Sequence, residues 1–229
     1  DKISHLEAQF ATRWGGMGAV AEAFAVAWNA AGDTDAAMAW YARAVAANDG
    51  SASLKASEQW GHLRVLKAWQ SVNDAATARS ARTELAAALQ WLNQLVALQP
   101  TMERHSLCGS AYKRLAMVER VAGRPADTDA ALRKMLGCYA EAERLGRDAG
   151  LPDWHYPALN RLIGEIALAT SRPMRTGRLA RALLDPQRWD AVQRALVVKT
   201  RDDPDFFSVV GLTEVRMLLA MAQGSLSLA

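Results

Sequence analysis

The chain has 229 residues, which is enough to bury a sizeable hydrophobic core as one large domain or two small ones. Its 27 basic and 24 acidic residues leave a formal net charge of +3, too mild to indicate a nucleic-acid-binding protein by itself. Two cysteines are too few for the disulfide framework of a secreted domain, and charged residues interrupt every apolar stretch before the length of a membrane span. The abundance of Ala, Leu and Arg favours helices.

Helical periodicity runs through the whole chain. Apolar residues recurring every three or four positions predict helices, in order, over 3–14, 19–31, 35–48, 53–71, 75–98, 102–121, 127–145, 158–170, 187–199 and 205–222. Asp33 or Thr34 is positioned to cap the third of these helices. An irregular connection is predicted over 151–157, and a weaker helix between Pro173 and Pro186.

The connections between the predicted helices are short, which is typical of antiparallel neighbours stacked in sequence order. No segment alternates as a half-buried strand does, so we expect an all-α fold. The pattern divides the chain into an N-terminal helix over 1–17, a set of helical hairpins over 18–170, and a basic helical cap over 171–229.

The first hairpin carries a spaced set of small and aromatic residues. Phe24-Ala25-x2-Trp28 lies in its first helix, and Ala37 and Ala44 flank an aromatic residue in its second. Small residues at such positions let two helices approach closely, while large residues fill the groove between hairpins. The arrangement resembles the tetratricopeptide repeat (TPR), whose signature runs W-x2-L-G-x2-Y and then Ala, an aromatic residue and Ala.

The third hairpin resembles the same repeat. His105-x2-Cys108-Gly109-x2-Tyr112 has the spacing of the first-helix signature, with the small residue and the aromatic residue in register. The second helix of this hairpin offers Tyr139 in the aromatic position. Both helices are longer than those of a regular 34-residue repeat, so we expect an extended hairpin.

Two other segments resemble the repeat more loosely. The second hairpin ends with Ala88 and Pro100 at repeat positions, and Ile163-Gly164 matches the apolar and small pair of a first helix. The resemblance therefore covers 18–170. It implies an α-α superhelix, which is a TPR-like solenoid of antiparallel helical hairpins. It also implies a non-enzymatic scaffold that presents a concave surface, lined by first helices, to a protein or peptide.

Polar positions of the first helices supply the candidate binding site. Counted from the matched motifs, the residues expected to line the concave face are Asn29, Lys113, Arg114, Asn160 and Arg161. Basic and amide side chains in such positions suit acidic or carboxylate-ended peptides. The alternative interpretation is that these side chains are only solvated.

The sharpest charge asymmetry falls over 172–201. Arg175, Arg178 and Arg181 step by three residues and can share one helix face as a basic patch. This pattern is typical of a solvated outer face. The functional alternative is an acidic partner or a nucleic-acid backbone, which this segment would bind through its arginines.

The sequence contains no pattern that indicates catalysis. The four histidines do not pair with one another or with cysteine at metal-ligand spacing, so we expect no metal site and no cofactor. Cys108 and Cys138 fall on apolar helical faces, where buried thiols are the usual outcome. Related repeat arrays occur fused to protease or signalling domains. Because this chain opens at Asp1, we expect an excised segment of a longer cytoplasmic protein, with an effector domain on the same chain and no membrane partner.

Overall fold

The computed structural model describes the backbone of residues 2–170 and 185–223, and the side chains of 2–169 and 185–220. Ten α-helices lie in these ranges: α1 Lys2–Trp14, α2 Gly18–Ala30, α3 Thr34–Ala46, α4 Leu54–Gln70, α5 Ala75–Leu98, α6 Met102–Val121, α7 Pro125–Asp148, α8 His155–Thr170, α9 Pro186–Asp202 and α10 Phe206–Gln223. A 3-10 turn, Pro152–Trp154, precedes α8. No strand occurs in the ranges given, so the predicted all-α fold is confirmed.

The helices belong to two compact units, residues 1–99 and residues 100–229. In the first unit, α2 packs on α3, α3 on α4, and α4 on α5, with α1 lying against α2. In the second unit, α6 packs on α7, α7 on α8, and α9 on both α8 and α10. Within each unit, consecutive helices are therefore spatial neighbours, as a stack of helical hairpins requires.

Most helices begin at a side chain that accepts a backbone hydrogen bond. The Asp33 carboxylate accepts from the Ala36 amide at 2.9 Å, which identifies Asp33 as the cap of α3 and makes Thr34 its first residue. Asp74 and Thr77 cap α5 reciprocally, each side chain accepting from the other residue's backbone amide. Gly123 follows α6 with a φ of 68°, a left-handed conformation that glycine adopts without strain.

The repeat-like residues of the first hairpin are buried between α2 and α3. Ala25, Ala37 and Ala44 have no exposed surface, and Tyr41 is also buried. The Trp40 ring stacks on the Phe24 ring with 4.7 Å between their centroids. The small residues thus allow the two helices to approach, and the aromatic rings fill the space beside them.

Helices α4 and α5 meet at a glycine that the sequence motif did not single out. A Cβ added to Gly61 would lie 2.8 Å from a methyl carbon of Leu92. Next to this contact, Trp60 and Trp91 pack edge to face with 4.9 Å between centroids. The indole of Trp91 donates a hydrogen bond to the Ser57 carbonyl at 3.0 Å.

The second unit repeats this packing. Gly109 of α6 lies against the buried ring of Tyr139 on α7, and Gly164 of α8 lies against Met135 and Leu136 of α7. Past α8, a separate cluster of buried side chains joins α8, α9 and α10 around the buried Trp189 ring.

The predicted ranges of α7, α8 and α9 each differ from the structure by three residues at one end; α9 was predicted to end at 199 and ends at Asp202. Helix α7 begins at Pro125 and ends at Asp148, whereas the predicted range was 127–145; proline fits the first position of a helix because its missing amide hydrogen needs no partner there. Helix α8 begins at His155, inside the predicted irregular connection, because a proline such as Pro157 is tolerated in a first turn. The helix predicted between Pro173 and Pro186 lies outside the described residues.

No helix in the described part of the chain has both the length and the apolarity that a membrane crossing needs.

Candidate functional site

Two adjacent cations on α6 lie at the centre of the candidate site. Lys113 and Arg114 are both half-buried. The Lys113 ammonium donates a hydrogen bond to the Asn160 side-chain oxygen at 3.2 Å, and the Asn160 amide group donates to the Tyr156 carbonyl at 3.1 Å. Two residues predicted from separate hairpins are therefore in direct contact, and they connect α6 to α8.

Arg114 points toward α7 and the start of α8. Its guanidinium donates to the carbonyl oxygen of Ser110 at 3.2 Å and to the Ser110 hydroxyl at 2.5 Å. Its Nε atom is buried and has no hydrogen-bond partner among the residues that the structure describes. The rings of Tyr139 and Tyr156 pack edge to face, with 6.4 Å between their centroids, and both residues lie close to this guanidinium.

Among the described residues, no direct ion pair offsets the burial of these two cations. Desolvation lowers the pKa of Lys113, and the carboxylate of Glu214 on α10 opposes that shift without forming an ion pair with the ammonium. Desolvation also lowers the pKa of Arg114, against the opposing influence of Tyr139 and Tyr156. We use the name α6–α8 face for the half-buried Lys113 and Arg114, the exposed Tyr156, and the buried Ser110 and Asn160 beneath them. Its positive charge is partly desolvated, and both cations keep hydrogen-bond donors that are not used by any residue the structure describes.

Arg161 differs from Lys113 and Arg114 because its charge is neutralised. Its guanidinium forms ion pairs with Glu143 at 3.3 Å and with Glu165 at 3.2 Å. Arg147 pairs with the same Glu143, and Arg188 pairs with the same Glu165. The alternating charges connect α7, α8 and α9, so Arg161 takes part in packing between helices.

Asn29 is exposed near the end of α2. It belongs to the unit of residues 1–99, whereas the other four predicted residues belong to the unit of residues 100–229. Asn29 is therefore described only within the first unit, and its role in one binding site with the other four residues stays a prediction.

The predicted basic patch of Arg175, Arg178 and Arg181 lies outside the described residues. Part of the same segment is described in α9. There Lys199 forms ion pairs with Asp153, Asp203 and Asp205, Arg201 pairs with Asp202, and Arg188 pairs with Glu165. In the described part of this segment, carboxylates thus neutralise three basic side chains. Nucleic-acid binding by Arg175, Arg178 and Arg181 stays a prediction.

A cavity of about 560 Å³ opens beside Lys113, between α6, α7 and α8. Its walls are mostly apolar, and its polar rim includes Lys113 and Arg120. Periodicity predicts that residues such as Leu132 and Ile163 face inward, but it does not predict that the side chains leave space between three helices. The cavity was therefore not predicted from the sequence.

The two cysteine thiols are held in their protonated form by burial. Burial raises the pKa of the Cys108 thiol to about 12 and that of Cys138 to about 11, so both are thiols near neutral pH. Among the side chains that the structure describes, no three histidine, cysteine or carboxylate groups converge as metal ligands. What the site does offer is donors and positive charge, which suit binding.

Comparison with known families identifies the architecture. A family model described as Tetratricopeptide Repeats-Sensor (TPR-S) matches residues 33–169, which is more than half of the chain. The match extends from the cap of α3 to the end of α8 and includes the α6–α8 face. The TPR-like resemblance of the sequence is thereby confirmed. No curated protein and no solved structure matches the chain.

Proposed function

The chain belongs to the Tetratricopeptide Repeats-Sensor family, and from this premise we propose that it is a non-enzymatic binding module that captures an acidic or carboxylate-ended peptide on the α6–α8 face. Tetratricopeptide-type repeats generally bind protein partners, which supports the class of ligand. The family's description as a sensor supports a recognition role.

The observation that carries the proposal is the pair of half-buried cations, Lys113 and Arg114, which form no ion pair with any residue that the structure describes. Removing a cation from water costs free energy unless an opposite charge or several hydrogen bonds compensate. Here the compensation is partial: one neutral amide oxygen for Lys113, and the oxygens of Ser110 for Arg114. A bound carboxylate would supply what is missing.

The remaining donors set the chemistry of the ligand. An ammonium has three hydrogens and a guanidinium five, so donors stay available on both side chains after their internal hydrogen bonds. Charge-assisted hydrogen bonds are each worth about 1.5–3 kcal/mol. Consecutive side chains of a helix point about 100° apart, but Lys113 contacts Asn160 and Arg114 lies near Tyr156, to whose carbonyl Asn160 donates. We therefore expect one peptide terminus to reach both cations.

A direct experiment compares peptides that differ only in their terminal charge. Fluorescein-labelled decapeptides ending in two acidic residues are titrated in matched free-acid and amidated forms, with anisotropy as the readout. We expect the free acids to bind more tightly. We also expect the double variant K113E/R114E to weaken their affinity at least about tenfold, because it replaces attraction by repulsion.

The matched control is the double variant R133E/K134E, which makes the same change in net charge at two adjacent exposed residues of α7. It should bind like the wild type, and circular dichroism should show unchanged helicity in both variants. Equal binding of acid and amide, or unaltered affinity in K113E/R114E, would contradict the proposal.

A further inference from the structure

We propose that the cavity between α6, α7 and α8 is a binding site for a small carboxylic acid with an apolar body. The volume of about 560 Å³ falls within the range of small-molecule sites, roughly 300–1,000 Å³. The site goes beyond the proposed capture of a peptide, since its ligand is a small molecule and most of its lining is separate from the α6–α8 face.

The walls of the cavity determine the apolar part of the ligand. Leu132 and Met135 of α7 and Ile163 and Ala167 of α8 line it, with Met117 of α6 at the edge. Met117 keeps 40% of its surface exposed, so this edge is accessible from solvent. Burying a ring or an alkyl chain against these side chains is favourable in proportion to the apolar area removed from water.

Direct contacts fix two borders of the cavity. Gly164 brings α8 against Met135, where an added Cβ would lie 3.0 Å from the methionine methyl carbon. At the turn after α6, an ion pair of 2.8 Å between Arg124 and Glu119 fixes the other border. Because both borders are built from direct contacts, the space between them is largely preformed, which lowers the free-energy cost of binding.

The charges of the lining determine the polar part of the ligand. The charge of Arg124 is neutralised by Glu119, and that of Asp129 by Arg133, at 3.7 Å. Lys113 and Arg120 also line the cavity, and neither forms an ion pair with a carboxylate in the described part of the chain. The uncompensated charge of the lining is therefore positive.

Lys113 and Arg120 lie seven residues apart on α6, which places them on one side of the helix about 10 Å from each other. A ligand lying along α6 would meet apolar surface between them and a cation at either end. Charge complementarity thus selects an anion over a neutral molecule of the same shape, and a carboxylate is the anion whose hydrogen bonding an ammonium or guanidinium satisfies.

The methionines that line the cavity give the experiment a local readout. The full chain is labelled with methyl-¹³C methionine and titrated with decanoate and with naphthalene-2-carboxylate, each beside its uncharged amide. The M117L and M135L variants assign the two methyl signals. We expect both acids to shift the Met117 and Met135 signals saturably, and the amides to bind about tenfold more weakly because the charged contacts are lost.

Two variants test where the acids bind. K113M/R120M removes both cations and should weaken decanoate about tenfold, because the single carboxylate contacts one of two cations that lie about 10 Å apart. M117W, whose indole would fill the entrance, should abolish the Met135 shift. The matched control is V121W, one turn further along α6 at a residue that is also exposed and does not line the cavity. It should leave the affinity unchanged.

The proposal is overturned if neither acid shifts these signals at millimolar concentration, if acid and amide bind equally, or if M117W binds like V121W. It is also overturned if an acidic peptide shifts Met117 and Met135 while the small acids do not, since the cavity would then belong to the peptide site. The two proposals share only Lys113. R114E affects the α6–α8 face alone and R120M the cavity alone, so their failures are distinguishable.

Discussion

Gly109 and Tyr139 show how one small residue permits the α6–α7 contact. A Cβ added at Gly109 would lie 2.9 Å from two atoms of the Tyr139 ring, which has no exposed surface. Real Cβ atoms do not approach so closely, and a buried ring flanked by two helices has little room to move. The glycine is therefore required by packing, although glycine is a poor residue for the middle of a helix.

The variant G109A tests this account of the contact. Alanine gains about 1 kcal/mol of helix propensity, but overpacking a buried site costs about 1–3 kcal/mol. We expect the free energy of unfolding to fall by about 1 kcal/mol, measured by urea denaturation. The matched control is G137A on α7, where an added Cβ would meet nothing within 4 Å, so stability should rise by about 0.5–1 kcal/mol. Equal stabilisation by both variants would refute the packing argument.

The spacing of small and aromatic residues predicted some of these contacts and missed others. Ala25 and Gly109 stood out because an aromatic residue follows each at the repeat interval, and both are at helix crossings. Gly61 likewise lets α4 and α5 approach closely, but no aromatic residue follows it at that interval. The physical requirement is a small residue at the crossing, and the aromatic partner can be supplied from elsewhere, as Trp60 and Trp91 do here.

At the scale of elements, the start of α8 depends on a buried histidine. His155 is 5% exposed, and its Nδ1 lies 3.1 Å from the carbonyl oxygen of Pro152 in the 3-10 turn. Burial lowers the pKa of this imidazole below its usual value, against the opposing influence of Asp153 and Asp205. The positive charge of Lys199 also lowers the pKa of His155. The neutral ring thus fits the turn better than the charged ring does.

This shift predicts a dependence of stability on pH. The unfolded imidazole binds its proton near pH 6.5, whereas the folded one binds it only at lower pH. The unfolded chain therefore holds more protons as the pH falls through 6.5, and the free energy of unfolding declines until the folded pKa is passed. His105, whose pKa is also lowered by burial, adds to the decline.

We expect H155Q to reduce the difference in stability between pH 7.5 and pH 5.5, and H105Q/H155Q to reduce it further. Urea denaturation at the two pH values measures this difference for each variant. If H155Q and the wild type lost the same stability on acidification, the proposed burial of a neutral imidazole would be wrong.

Element by element, the site was partly predictable. The repeat register placed Lys113 and Asn160 on first helices, and the structure brings them into contact. Arg161 was predicted on the same grounds, but its neutralisation depends on Glu143 of α7, whose position relative to α8 is a matter of packing. The cavity could not be predicted, because periodicity gives the inward face of each helix and not the space between helices.

At the scale of the whole molecule, the all-α class and the TPR-like architecture were predictable because periodicity and short connections constrain them strongly. The division into 1–17, 18–170 and 171–229 stays a prediction, while contacts in the structure define units of 1–99 and 100–229. The family match covers parts of both units. Fold and family together support a binding module, and we propose that it binds through the two half-buried cations of α6.

The most direct test of that claim is a chemical-shift map of the full chain, recorded with ¹⁵N labelling while the tightest acidic peptide is titrated. We expect the largest chemical-shift changes to cluster on the α6–α8 face, at Ser110, Lys113, Arg114 and Asn160. These changes should disappear in K113E/R114E. Shifts confined to α1 through α5 would contradict the claim.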